Sequence, residues 1–85
     1  MVRAQKTLLA TLGIFKVKAI VGGSMGGMQA LSFAVSYPGF AETIIPMAAT
    51  YATSPWVIGL NKVASAALLA DPAFKDGNYS SKKAF

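Results

Sequence analysis

The 85-residue sequence contains no histidine, no cysteine and only three acidic residues. Without cysteine, the chain forms no disulfide framework and no thiolate metal site. Without histidine, it lacks the side chain that most often serves as a general base near neutral pH. Charged residues make up only 13% of the chain, about half the share of an average globular protein. A domain this small normally needs more charged residues to cover its surface. We therefore expect this chain to be part of the apolar interior of a larger fold.

The eight basic residues give a net charge of +5 and lie towards the two ends of the chain. No basic cluster alternates with aromatic residues, as a nucleic-acid surface would. Two uncharged stretches, 19–41 and 43–61, have the length of a membrane span. Glycine pairs interrupt the first stretch and two prolines interrupt the second, which argues against continuous spanning helices. We therefore predict neither a nucleic acid nor a membrane as partner, and we expect a cytoplasmic location.

Hydrophobic periodicity divides the chain into alternating helices and strands. The predicted order is helix 3–12, strand 17–21, helix 26–37, strand 42–48 and helix 55–70. In the second of these helices Met28, Leu31, Ala34 and Val35 recur at helical spacing, which predicts an apolar face. A strand, a helix and a second strand at this spacing predict a βαβ unit with parallel strands. The first strand is apolar throughout its centre, which is typical of a strand buried on both faces. The sequence therefore predicts an α/β fold.

The most specific motif lies at the junction of the first strand with the following helix. It reads G-x-S-x-G, with Ser24 at its centre. Such a motif in that context is typical of a nucleophile elbow, in which the serine hydroxyl is exposed above a sheet. Ser24 would be the nucleophile, and the backbone N–H of Met25 would be one oxyanion donor. Four glycines would leave room for the tight turn and for the close approach of strand and helix: Gly22, Gly23, Gly26 and Gly27.

Other interpretations of the motif remain open at this point. Ser24 could be the ordinary N-cap of a helix that follows a glycine turn. A phosphate-binding loop is disfavoured, because the glycines do not follow the G-x-G-x-x-G spacing and no lysine follows them. Asp71 and Asp76 follow Ser24 in the sequence, but they fall at a predicted helix end and a predicted turn. We expect neither of them to be the acid of a catalytic triad.

The segment GGSMGGMQAL, from Gly22 to Leu31, resembles the homoserine O-acetyltransferase family. The resemblance extends over nearly the whole chain. Further similar positions are Val2–Lys6, Leu8-Leu9, Leu12–Ile14, Ala34, Tyr37-Pro38, Ile45-Pro46, Ser54-Pro55, Asn61, Asp71-Pro72 and Gly77–Tyr79. The resemblance implies a fragment of an α/β-hydrolase fold. Residues 1–50 would be a core segment that carries the elbow, and residues 51–85 would be the start of a lid.

The resemblance also implies an activity. Ser24 would be acetylated by acetyl-CoA, which is a substrate of the family rather than a bound cofactor. The acetyl group would then pass to the hydroxyl of homoserine or a similar alcohol, in a step towards methionine. Family members carry the acid and the histidine of the triad far downstream of the serine. We therefore expect the 85-residue chain to be inactive alone and, because its short sheet lacks cover, to form homo-oligomers.

One departure from the family pattern leaves the acyl acceptor open. The acetyltransferases often have an arginine near the positions of Thr50–Thr53, and none is present here. A second hypothesis is therefore a fragment of an esterase or thioesterase, in which water accepts the acyl group. A third hypothesis is a truncated, non-catalytic product, which the absence of histidine favours. No metal site is predicted under any of the three.

Overall fold

The computed structural model describes residues 1–79, which form two compact units. Residues 1–52 form the first unit, and the second begins at Thr53. The elements are α1 (Val2–Thr11), β1 (Val17–Gly23), α2 (Met25–Ser36), β2 (Ala41–Met47), α3 (Pro55–Ala70) and a short 3₁₀ turn (Lys75–Gly77). The order of helices and strands is the predicted one. Residues 80–85, which belong to the predicted lid region, lie outside the described residues.

Strands β1 and β2 pair in parallel and form the two-stranded sheet of the first unit. The register is regular, from Val17 opposite Ala41 to Gly23 opposite Met47. Helix α2 connects the two strands, so the predicted βαβ unit is present. Pro46 is the next-to-last residue of β2, a position where its missing N–H interrupts little of the ladder.

Helix α2 packs against the sheet along a different stripe from the one predicted. The periodicity predicts a buried face through Met28, Leu31, Ala34 and Val35, yet Val35 is 84% exposed. The buried residues of α2 are instead Gly27, Ala30 and Phe33. These residues are spaced three apart and form one stripe, which begins in the first turn of the helix with the small residue Gly27 against the sheet. The helix is therefore rotated so that its glycine faces the strands.

Strand β1 is covered on one of its two faces, which agrees with the expectation that this short sheet lacks cover. Side chains alternate along a strand, and Ile20, on the face towards α2, is half-buried. Val21, on the opposite face, is 58% exposed. Within residues 1–52, the apolar pattern of β1 therefore exceeds the cover that the helices provide.

Helix α1 is joined to the rest of the first unit by polar and aromatic contacts. The side-chain amide of Gln5 donates a hydrogen bond to Oε1 of Gln29 in α2, at 3.0 Å. The ammonium of Lys6 lies 5.1 Å from the ring centroid of Tyr37, at the end of α2. Gly13 ends the helix with a φ of +77°, a conformation that favours glycine. These contacts hold α1 beside α2.

The second unit is built around α3, which starts and ends as the sequence predicts. Ser54 precedes the helix in an extended conformation, and its Oγ accepts a hydrogen bond from the N–H of Val57 at 3.4 Å. Pro55 occupies the first helical position, where a missing N–H costs nothing. The helix ends at Ala70, before Asp71-Pro72. No helix among residues 1–79 combines the length and the hydropathy needed to cross a bilayer.

Candidate functional site

The backbone of Ser24 adopts a conformation that serine rarely takes. Its φ is 52° and its ψ is −118°. These angles match the first central position of a type II′ turn, where glycine dominates because a Cβ is crowded there. Holding a residue in so sparsely populated a region costs about 1–3 kcal/mol, and it persists only where neighbouring structure imposes it. The junction of β1 with α2 is therefore a strained turn.

Two backbone hydrogen bonds hold Ser24 in this turn. Its N–H donates to the carbonyl of Met47, at the end of β2, at 2.9 Å. Its own carbonyl accepts from the N–H of Met28, in the first turn of α2, at 3.1 Å. The residue is thus fixed on one side to the sheet and on the other side to the helix.

The structure distinguishes the four glycines around Ser24. A Cβ on Gly22 would lie 2.2 Å from the backbone oxygen of Gly26. A Cβ on Gly27 would lie 2.6 Å from the Cβ of Ala49. Both distances are far below van der Waals contact. A Cβ on Gly23 or on Gly26 would have no atom within 4 Å beyond the adjacent backbone. The close approach of strand and helix therefore requires glycine at positions 22 and 27.

The hydroxyl of Ser24 is not used as a helix cap. Ser24 precedes α2, but its side chain makes no capping hydrogen bond, and the residue is exposed. Ser54 precedes α3 in the ordinary extended conformation, and its hydroxyl does cap the helix. Two serines at equivalent positions before helices therefore behave differently. The geometry does not support the interpretation of Ser24 as an ordinary N-cap.

The first turn of α2 presents free backbone donors beside Ser24. The N–H of Met28 makes the first hydrogen bond of the helix. The N–H groups of Met25, Gly26 and Gly27 precede it and have no partner within the helix. Together with the helix dipole, such groups favour negative charge near the helix N-terminus. Met25, the predicted oxyanion donor, is the first residue of this turn.

Asp71 and Asp76, the two aspartates that follow Ser24 in the sequence, lie at local turns of the chain. Oδ1 of Asp71 accepts a hydrogen bond from the N–H of Ala73 at 2.8 Å, just after α3. Asp76 lies in the 3₁₀ turn with a φ of 52°. Both belong to the second unit. The structure thus places each of them at a chain turn, where the sequence put them.

Sequence reasoning missed the segment Met47–Ala49, which comprises the last residue of β2 and the two residues after it. This segment contributes both the carbonyl that holds Ser24 and the methyl group that lies against Gly27. The signal that could have found it is topological. In a βαβ unit the carboxyl ends of the two parallel strands lie side by side, and residues after each strand meet there.

Comparison with known proteins identifies the family of the chain. A family model for the alpha/beta hydrolase fold matches residues 1–85. This chain belongs to the alpha/beta hydrolase fold family. The predicted fold class is therefore confirmed, and the strained serine turn lies in a fold in which such turns carry nucleophiles.

The resemblance to homoserine O-acetyltransferases is also confirmed as a similarity. The chain is 65% identical over 79 residues to the homoserine O-acetyltransferase of Nautilia profundicola. It is 60% identical over 79 residues to that of Sulfurimonas autotrophica. Each match covers 93% of this chain and 22% of the relative. This alpha/beta hydrolase chain thus spans about a fifth of the length of the curated relatives it matches.

Two solved structures of the same fold resemble the chain closely. One is an acetylester hydrolase from Corynebacterium glutamicum, with a TM-score of 0.87 and 36% identity over 94% of this chain and 23% of that chain. The other is the L374D mutant of esterase E22, with a TM-score of 0.82 and 34% identity over 95% of this chain and 22% of that chain. Similarity in this family therefore extends both to proteins named as acyltransferases and to proteins named as esterases.

Proposed function

We propose that this chain carries the nucleophile of an acyltransferase similar to homoserine O-acetyltransferase. Ser24 is the nucleophile, the N–H of Met25 is one oxyanion donor, and acetyl-CoA is the acyl donor. Homoserine is the acceptor. A cytoplasmic location and a place in methionine synthesis belong to the same proposal and are carried over with the family resemblance.

The observation that carries the proposal is the backbone of Ser24. Ser24 has a φ of 52° and is held by backbone hydrogen bonds to β2 and α2. It is exposed at the carboxyl end of β1, and its hydroxyl does not cap the helix. Strain of this kind concentrates at functional sites, because it persists only where surrounding structure imposes it. The identity of 65% to a protein named homoserine O-acetyltransferase supports the choice of reaction.

The chemistry has two steps, and each one balances. In the first, Oγ of Ser24 attacks the carbonyl carbon of the acetyl thioester, the C–S bond breaks, and coenzyme A leaves as its thiol. In the second, the homoserine hydroxyl attacks the acetyl-serine ester, and the bond to Oγ breaks. Ser24 regains its proton, and O-acetylhomoserine is released. Each step passes through a tetrahedral oxyanion, which hydrogen bonds from preorganised N–H groups stabilise.

This chain supplies the nucleophile and one oxyanion donor, but not the base. A serine hydroxyl is a weak nucleophile until a base removes its proton, and the sequence contains no histidine. The proposal therefore requires a base from outside these 85 residues. It assigns to this segment the positioning of Oγ and the stabilisation of negative charge at the N-terminus of α2.

A second candidate function is ester hydrolysis on the same serine. Two structures named as an acetylester hydrolase and an esterase resemble the chain with TM-scores of 0.87 and 0.82. The absence of arginine from Thr50 to Thr53 also separates this chain from many acetyltransferases of the resembled family. In this alternative, water instead of homoserine attacks the acetyl-serine ester.

A chimeric enzyme tests the proposal. The matching 79-residue segment of the Nautilia profundicola protein is replaced by the corresponding residues of this chain, so that the host supplies the rest of the fold. Release of coenzyme A from acetyl-CoA is then measured with and without homoserine. We expect homoserine to accelerate the release and to be acetylated, and we expect Ser24→Ala to abolish both. Ser54→Ala is the matched control, because it removes a serine that only caps a helix.

The outcomes separate the candidates. Release of coenzyme A or hydrolysis of acetyl esters that homoserine does not accelerate would favour the esterase. Full acetyl transfer by the Ser24→Ala chimera would exclude Ser24 as the nucleophile.

A further inference from the structure

The chain contains a second strained residue close to Ser24. Ala48, directly after β2, has a φ of 47°. Among the non-glycine residues described in the first unit, Ser24 and Ala48 are the two with positive φ. A positive φ at a non-glycine residue is uncommon and calls for a physical reason.

The reason lies in what the neighbours of Ala48 contact. The carbonyl of Met47, one residue before, accepts the hydrogen bond from the N–H of Ser24 at 2.9 Å. The methyl group of Ala49, one residue after, fills the space that a side chain at Gly27 would need, 2.6 Å from an ideal Cβ there. Ala48 therefore links a contact with the serine turn to a contact with the first turn of α2.

We propose that Ala48 is a positioning residue for Ser24. Its left-handed backbone turns the chain after β2 so that the Met47 carbonyl holds the amide of Ser24 while the Ala49 methyl holds the start of α2. This inference rests on the proposed function of Ser24, and it adds that the segment Met47–Ala49 sets the geometry of the nucleophile. In this role Ala48 acts through its two neighbours, Met47 and Ala49, and not directly on the reacting atoms.

The test compares two substitutions at position 48 in the chimera. Glycine adopts φ near +47° without steric cost, whereas valine, with its branched Cβ, strongly disfavours it. We expect Ala48→Gly to leave the rate of Ser24 acetylation unchanged. We expect Ala48→Val to lower that rate by about tenfold to a hundredfold, the loss that misplacing a reacting group by about 1 Å can cause. Ala52→Val is the control, since it adds the same side chain to an exposed loop residue without positive φ.

The measurement is the burst of p-nitrophenolate from p-nitrophenyl acetate, which reports acetylation of Ser24 in a single turnover. Its dependence on ester concentration separates the acetylation rate from the apparent affinity. We expect only the rate to fall, because the proposed role of Ala48 is to position Ser24 and not to bind the ester. A merely structural role would lower the amount of folded enzyme, and therefore the burst amplitude, without changing the rate per active site.

The remaining outcomes also decide the question. Equal acetylation rates in Ala48→Val, Ala48→Gly and Ala52→Val would overturn the inference while leaving the proposed function intact. An unchanged burst in Ser24→Ala would instead overturn the proposed function. If Ala48→Val loses its thermal unfolding transition, Ala49→Gly takes its place, because it removes only the methyl group against Gly27. A rate for Ala49→Gly equal to that of the parent chimera would then refute the inference.

Discussion

Substitution of Gly22 by alanine tests the close contact on which the serine turn depends. The new Cβ would lie 2.2 Å from the backbone oxygen of Gly26 and 2.3 Å from its carbonyl carbon. Contact between carbon and oxygen needs about 3.3 Å, so the start of α2 must move away from β1 by roughly 1 Å. A change of side-chain rotamer cannot relieve this clash, because the two atoms of Gly26 that the new Cβ would meet belong to the backbone.

The expected cost follows from these contacts. Overpacking a close-fitting site costs about 1–3 kcal/mol, and a backbone clash falls at the upper end. Loss of the hydrogen bond between Ser24 and Met47, as the helix moves, adds about 1 kcal/mol. The sum, about 4 kcal/mol, approaches the whole stability expected for a unit of this size. With a urea dependence of about 1 kcal/mol per molar, the unfolding midpoint should fall by several molar.

The matched control is Gly26→Ala, which changes the other glycine of the motif. Its Cβ would have no atom within 4 Å beyond the adjacent backbone, and alanine favours a helix over glycine by about 1 kcal/mol. We expect this variant to unfold at an equal or higher urea concentration than the parent. Both variants of the 85-residue chain are compared by circular dichroism at 222 nm, at one protein concentration. Equal midpoints for the two variants would refute the assignment of the steric requirement to Gly22.

Four further predictions concern strain, activity, association and packing. Ser24→Gly should raise the free energy of unfolding by about 1 kcal/mol, since relief of about 1–3 kcal/mol of strain exceeds the added freedom of the unfolded chain; unchanged stability in urea titrations would mean that the turn is unstrained. The purified 85-residue chain should turn over neither acetyl-CoA nor p-nitrophenyl acetate, because it lacks histidine; turnover that Ser24→Ala abolishes would contradict this. The same chain should self-associate through exposed apolar residues such as Val21 and Ile45, and a uniform monomer in light scattering would argue against it. Lys6→Ala should cost about 0.5–1 kcal/mol through its lost cation–π contact with Tyr37, whereas Lys16→Ala should cost less; equal effects would exclude a contribution from that contact.

The order of helices and strands could be predicted because its signals are local. Ser54-Pro55 marks the start of α3 through capping and a fixed φ, and Gly13 marks the end of α1 through its positive φ. The G-x-S-x-G motif placed Ser24 at a strand-to-helix junction. Each of these inferences needs only residues that are neighbours in the sequence.

The remaining features depend on contacts between distant segments. The buried face of α2 was predicted through Val35, but packing at Gly27 turned Phe33 and Ala30 inwards instead. The motif treats Gly22 and Gly26 alike, yet only the first would clash as alanine. The hydrogen bond from Ser24 to Met47 joins residues that no local sequence pattern pairs, although the βαβ topology brings their strand ends together. Such features follow from how closely the elements approach, and periodicity carries no information about that distance.

The register of the sheet has a consequence for the order of folding. Every paired residue of β1 lies 24 positions before its partner in β2, as Val17 does before Ala41. The strands can therefore pair only after the intervening chain has closed into a loop. The entropy of loop closure is lost before the strand contacts that compensate for it can form. The carbonyl that accepts the hydrogen bond from Ser24 belongs to Met47, which forms the last pair of the ladder with Gly23. An isolated α2 peptide would thus lack the strained serine, because the backbone conformation of Ser24 forms together with the sheet.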